Sequence, residues 1–131
     1  MCIFCKIVSG ELPSYKVYED DKVLAFLNIE PVSIGHILVI PKKHVVSLEE
    51  TSPEDLTAVM LVVQKIGGTL KKKLGVDGYN VGENNGSAAG QTIPHLHFHL
   101  IPRHENDGLP SWPKMENVSD NLEEIAKKLT A

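Results

Sequence analysis

The sequence predicts an α+β fold: a five-stranded antiparallel sheet, one long helix and a short helix near the C-terminus. Two observations carry this. Five apolar stretches of strand length are bounded by turn signals, with connections short enough for antiparallel pairing. One long stretch, from Ser52 to Gly75, instead keeps a helical apolar stripe. At 131 residues the chain has the length of a single domain, and folding can bury roughly two-thirds of its unfolded surface.

The first two strands are expected at Lys16–Glu19 and Lys22–Leu27, joined by the acidic turn Glu19-Asp20-Asp21. A third, His36–Pro41, carries Ile37-Leu38-Val39-Ile40 and is stopped by its proline. The long helix follows, with Ser52 as N-cap, Pro53 at the first helical position and Asp55 three residues after the cap. Leu56, Met60, Val63, Ile66, Leu70 and Leu74 recur at helical spacing. Lys71, Lys72 and Lys73 favour the negative end of the helix dipole, and Gly75 closes it. Tyr79–Gly82 reads as the fourth strand, Glu83–Gly90 as a loop rich in Asn, Gly and Ala, and His95–Pro102 as the fifth strand. Beyond it, Arg103–Val118 is polar and broken by prolines. A final helix is expected from about Asp120, with Leu122, Ile125, Ala126 and Leu129 on one face.

Composition narrows the function. With 13 Lys and Arg against 17 Asp and Glu, the formal net charge is −4, which argues against a nucleic-acid binder, since such a protein needs a basic face. The longest apolar run, Ala58–Val63, falls far below the ~18 residues of a membrane span. The N-terminus also lacks the apolar stretch of a signal peptide, so a cytoplasmic protein is expected. What stands out is histidine: six in all, four of them between His95 and His104.

Within Pro94–Pro102, histidine alternates with apolar residues. On a strand of side-chain period two, His95, His97 and His99 share one face, while Leu96, Phe98 and Leu100 share the other. Three ligands for one metal ion is the simplest reading of the first face. Yet the Cα atoms of His95 and His99 lie roughly 13 Å apart on an extended strand, too far for both to reach one ion through bonds of about 2 Å. The face therefore divides.

The run Asn84-Asn85-Gly86-Ser87-Ala88-Ala89-Gly90-Gln91-Thr92-Ile93-Pro94-His95-Leu96-His97-Phe98-His99-Leu100-Ile101-Pro102-Arg103 resembles the signature of the histidine triad nucleotide hydrolases and transferases. The likeness extends to Cys2–Ile7, Leu24–Asn28 and Gly35–His44, so it covers residues 1–104. It implies one domain over 1–131, in which 105–131 form a divergent C-terminal loop and helix, and a homodimer that joins two such sheets. It also implies cleavage at the α-phosphate of an adenylated substrate, of the adenosine phosphoramidate type, through a covalent nucleotidyl-histidine intermediate that releases AMP. The residue that matches the nucleophile is His97. His99 and His36 match phosphate-contacting groups, and Asn84, Gln91 and Thr92 match positions that hold phosphate oxygens and the leaving group. Ile3, Phe4, Ile7, Phe26, Leu27 and Ile29 match the residues around a purine base. Asn28 matches the ribose contact, where many members carry aspartate. Other readings are a dinucleoside polyphosphate hydrolase, a non-catalytic nucleotide- or zinc-binding adaptor, and a metallohydrolase with catalytic zinc.

Cys2 and Cys5 form a C-x-x-C pair with no second pair downstream, so a tetrahedral zinc would need two further ligands, and histidine is the available type. In triad proteins with this N-terminus the metal set corresponds to Cys2, Cys5, His44 and His95, with zinc in a structural role. His104 receives no role.

Overall fold

The structure is a computed structural model that describes residues 2–116, 118 and 121–130. The elements run α1 (Ile3–Ser9), β1 (Lys16–Glu19), β2 (Val23–Leu27), β3 (Ile37–Pro41), α2 (Pro53–Leu74), β4 (Gly78–Glu83), a short 3-10 turn (Ser87–Ala89), β5 (Phe98–Arg103) and α3 (Leu122–Thr130). The five strands form one antiparallel sheet in the order β1-β2-β3-β5-β4. The chain leaves β3, crosses through α2 and returns, so β5 lies between β3 and β4. That crossover sets His99 opposite Leu38 in the β3–β5 ladder.

Both faces of the central strands are covered, which is why β2 and β3 read as continuous apolar runs. On one face Val23, Ala25, Ile37, Val39, Leu96, Phe98 and Leu100 pack against Val59, Val62, Val63, Ile66 and Leu70 of α2. On the other, Leu24, Phe26, Leu38 and Ile40 pack against Phe4 of α1. The buried stripe of α2 therefore includes Val59 and Val62 beside the expected Val63, Ile66 and Leu70, while Leu74 in the last turn is exposed. The predicted cap is formed: the Asp55 N–H donates to Ser52 Oγ at 3.1 Å. At the other end Gly75 takes the left-handed conformation that closes a helix.

Gly35 also has a positive φ, +93°, and a Cβ built there would come within 2.7 Å of Leu74 Cδ1. A side chain at this position would be strained by the positive φ and would have to displace the end of Leu74, so the turn that delivers His36 to the sheet favours glycine.

Three expectations change. Ile3–Ser9, for which no element was expected, is a helix that ends at Gly10, whose N–H donates to the Ile7 carbonyl. The fifth strand starts at Phe98, not His95. The chain before it turns, with the His95 N–H on the Ile93 carbonyl and the Leu96 N–H on that of Val45. The bend through 93–95 carries the His95 side chain to Cys2 and Cys5, while His97 and His99 stay together at the cleft. The final helix spans Leu122–Thr130, and its predicted start at Asp120 lies outside the described residues; none of its residues is buried, so its apolar face is uncovered among the described residues. No helix among the described residues is long and apolar enough to cross a membrane.

Candidate functional site

The face of the sheet under α1 carries two adjoining clusters, both built around residues 95–99. His97 is 6% exposed, and its Nδ1–H donates to the His95 carbonyl at 2.7 Å. Since that nitrogen carries the proton in the neutral ring, Nε2 is left with a free lone pair. The edge of Phe4 meets the ring at 5.2 Å. Beside it stands His99, ring centroids 5.0 Å apart.

A chain of hydrogen bonds sets the opposite tautomer in His99. The Val32 backbone N–H donates to His36 Nδ1 at 3.1 Å, so the proton of neutral His36 sits on Nε2. That Nε2–H then donates to His99 Nδ1 at 2.9 Å, which leaves His99 with its proton on Nε2. One ring offers a lone pair and its neighbour offers an N–H.

Burial keeps these rings neutral. It lowers the pKa of His36 and of His97. His99 falls furthest, to about 4, through burial and then the adjoining His97 and His36 rings. A neutral imidazole is the nucleophilic form.

The two rings open onto a cleft of about 370 Å³. Ile3, Phe4, Ile7, Phe26, Leu27, Asn28 and Ile29 all line it, together with Thr92, so every position matched to the base and ribose meets the His97–His99 pair in one cavity. Other predicted residues stand back. His36 does not line the cleft and touches His99 from behind. Gln91 accepts from the Gly86 N–H and donates to the Val46 and Ile93 carbonyls, so its amide ties the 86–91 loop to the chain on either side. Asn84 also lies outside the lining and packs its amide against Gly90. Ser14, Glu30 and Ile93 line the cleft without having been singled out. Nothing in their spacing marks them, because they come from loops.

The second cluster joins Cys2, Cys5, His44 and His95, whose donor atoms lie within 4.8 Å of one another. His95 is fully buried, and its Nε2–H donates to the Pro41 carbonyl at 2.8 Å. Its Nδ1 is thus a bare donor, 3.5 Å from Cys2 Sγ, 3.7 Å from Cys5 Sγ and 3.3 Å from His44 Nδ1. Cys5 Sγ to His44 Nδ1 is 3.3 Å. With Zn–S of about 2.3 Å and Zn–N of about 2.0 Å, the edges of a zinc tetrahedron measure about 3.3 Å for N–N and about 3.5 Å for N–S. The observed separations fit those edges. Burial, with the Cys2 thiol next to it, pushes the Cys5 thiol up. Two thiolates this close repel, and a divalent cation is the group that relieves them. The four residues can hold a metal ion.

His95 belongs to both clusters: its side chain to the sulfur set, its carbonyl to His97. His104 lies apart, 3.7 Å from Asp77 on the surface.

Comparison with known proteins agrees with this geometry. The HIT domain family profile matches residues 9–106. Over 130 residues the sequence is 48% identical to an uncharacterised HIT-like protein of Methanocaldococcus jannaschii, covering 98% of each chain. It is 43% identical over 132 residues to an adenosine 5′-monophosphoramidase of Saccharomyces cerevisiae, covering 99% of this chain and 81% of that one. Among solved structures, a Zn-bound histidine triad family protein from Mycobacterium smegmatis aligns with a TM-score of 0.80 at 42% identity, over 88% of this chain and 84% of that one.

Proposed function

This chain belongs to the HIT domain family, and we propose that it is a nucleotide hydrolase that cleaves adenosine phosphoramidate-type substrates at the α-phosphorus and releases AMP. The observation that carries this reading is the pairing of opposite tautomers: a free His97 Nε2 lone pair beside a His99 Nε2–H, at the end of an apolar cleft.

The chemistry follows from that pairing. The base lies among Ile3, Phe4, Ile7, Phe26, Leu27 and Ile29, with the ribose near Asn28. His97 Nε2 attacks the α-phosphorus, a P–N bond to the imidazole forms, and the bond from phosphorus to the leaving amine breaks. The departing nitrogen takes a proton from water at the open rim. His99 donates its N–H to a phosphoryl oxygen, where charge accumulates in the transition state. The hydroxide left by that proton transfer then attacks the phosphorus, the P–Nε2 bond breaks, and AMP leaves with His97 neutral again. Thr92, exposed on the cleft lining, holds a phosphoryl oxygen through its hydroxyl in this reading. His36, Gln91 and Asn84 act as positioning residues, the first by fixing the His99 tautomer and the others by shaping the loop.

Cys2, Cys5, His44 and His95 would hold zinc. When bound, the ion supplies a structural clamp between α1 and the segment that leads into the site. Assembly as a homodimer belongs to the same reading: β4 is an edge of the sheet, and Val81 on it is exposed.

His97→Ala tests the function. Release of AMP from an adenosine phosphoramidate should fall about a thousandfold or more, while AMP still binds. Unchanged turnover in this variant would exclude His97 as nucleophile, and an inactive wild type that still binds AMP would favour the adaptor reading.

A further inference from the structure

The chain has two cysteines, Cys2 and Cys5; both are free thiols and both belong to the metal set. They stand one helical turn apart. Ile3 and Phe4 between them are helical, and the Lys6 N–H donates to the Cys2 carbonyl at 3.2 Å. Helix geometry then puts the two Cα atoms about 5 Å apart, inside the range of about 4.4 to 6.8 Å that a disulfide requires. Their sulfurs already lie within 4.8 Å of each other. Bridging them asks for side-chain rotation, with the backbone in range.

The pair is also reachable. Cys2 and Cys5 are partly exposed and His44 is exposed; of the four donors only His95 is buried. Cys2, Cys5 and His44 line a surface hollow of about 610 Å³ with Ile3, Thr92, Ile93 and Pro94. Ile3, Thr92 and Ile93 also line the cleft beside His97, so the two hollows adjoin. A cysteine that coordinates a metal is held as the thiolate, and the thiolate is the form that attacks a disulfide. A set sealed in the core would be shielded from that reaction. This one opens to solvent.

We infer that Cys2 and Cys5 form a redox modification site: a small-molecule disulfide converts the pair to an intramolecular disulfide, which releases the metal ion and loosens one wall of the cleft. The inference rests on the zinc reading above. One cysteine thiolate attacks a sulfur of the reagent, the reagent's S–S bond breaks, one thiolate fragment leaves, and a mixed disulfide remains on the protein. The other cysteine thiolate then attacks the protein sulfur of that mixed disulfide and expels the second fragment. Two electrons pass from the cysteines to the reagent, which ends as two thiols once each fragment takes a proton from water. His44 and His95 are the donors left, and a structural zinc needs four. The new bond lies within a single turn of α1, so it cannot replace a clamp that joins α1 to residues 44 and 95. Ile3, Phe4 and Ile7, which reach the cleft from α1, lose that anchor.

Treating the zinc-loaded full chain with glutathione disulfide, with no nucleotide present, tests this. A chromophoric chelator should report about one zinc released per chain, in step with the loss of both alkylatable thiols. The peptide carrying Cys2 and Cys5 should become lighter by two hydrogens. The oxidised chain should bind AMP about tenfold more weakly, the order expected when one well-packed apolar side chain leaves its contacts. Dithiothreitol with fresh zinc should restore the affinity. Zinc retained with both thiols still alkylatable overturns the proposal, as does oxidation that stops at a mixed disulfide or links two chains. Disulfide closure and zinc release with unchanged AMP affinity overturn the coupling to the cleft. A reduced chain that takes up no zinc overturns the zinc reading before any oxidant is added. A reduced, zinc-loaded chain that binds no AMP overturns the nucleotide reading, while thiol loss and zinc release still decide the redox site.

Discussion

His97 and His99 are the same residue type two positions apart, yet their environments give them opposite hydrogen-bonding character. The His95 carbonyl takes the proton-bearing Nδ1 of His97, and the Val32–His36 chain leaves His99 with its proton on Nε2. Because burial lowers the His97 pKa, its neutral form persists as pH falls through the usual imidazole range. The sign follows: kcat/KM should stay flat from about pH 8 down to about pH 6.5, the unperturbed imidazole value. Below the lowered His97 value it should then fall about tenfold per unit as the nucleophile protonates. His99, pushed to about 4, stays neutral over most of that range. A pH–rate profile that already declines between pH 8 and 7 would contradict the burial argument. The pairing of histidines on one face was legible in the sequence, since period-two alternation dictates it. Their tautomers were not. Main-chain groups of Val32, His95 and Pro41 set them, and a main-chain group carries no residue-specific signal.

The element that most changes the reading is α1. At seven residues it is too short to show a helical period and too short to be stable alone in water. Its N-cap residue, Cys2, makes no side-chain capping bond. What holds it is Phe4, packed on Phe26, His95 and His97, together with Cys2 and Cys5 in the metal set. The same helix brings Ile3, Phe4 and Ile7 to the cleft. Metal loss should therefore act on fold and cleft together. Removal of the ion by a chelator, or Cys5→Ser, should lower Tm by about 7 °C, the shift produced by about 2 kcal/mol in a domain of this size. AMP affinity should weaken in parallel. A chelated protein with unchanged Tm and unchanged affinity would exclude the clamp. The C-x-x-C pair was legible in the sequence, and the likeness to the histidine triad family supplied His44 and His95; that α1 forms a wall of the cleft became visible only with the helix in place. Glu30 and Gln91 show the converse. Glu30 gains its place from a turn at Asn28, and the Gln91 amide is committed to three main-chain groups.

Across the whole molecule, the sheet divides the work. α2 covers one face with an apolar core, and the other face is shared by α1, the metal set and the histidine pair. The crossover that puts β5 between β3 and β4 is what sets His99 beside Leu38 and within reach of His36. Under the proposed function, an acidic chain whose cleft has no Lys or Arg lining among the described residues holds one small anion through neutral N–H and hydroxyl donors. Among six histidines, five are thereby placed: His97 and His99 at the cleft, His36 behind them, and His44 and His95 at the sulfur set. The central claim is that His97 becomes covalently nucleotidylated during turnover. Rapid acid-free quenching of wild type with an adenosine phosphoramidate, followed by peptide mass spectrometry, tests it directly. An adenylyl group should appear on the peptide carrying His97 and be absent from His97→Ala. Turnover at full rate with no adduct on that peptide, or with the adduct on another residue, would contradict it.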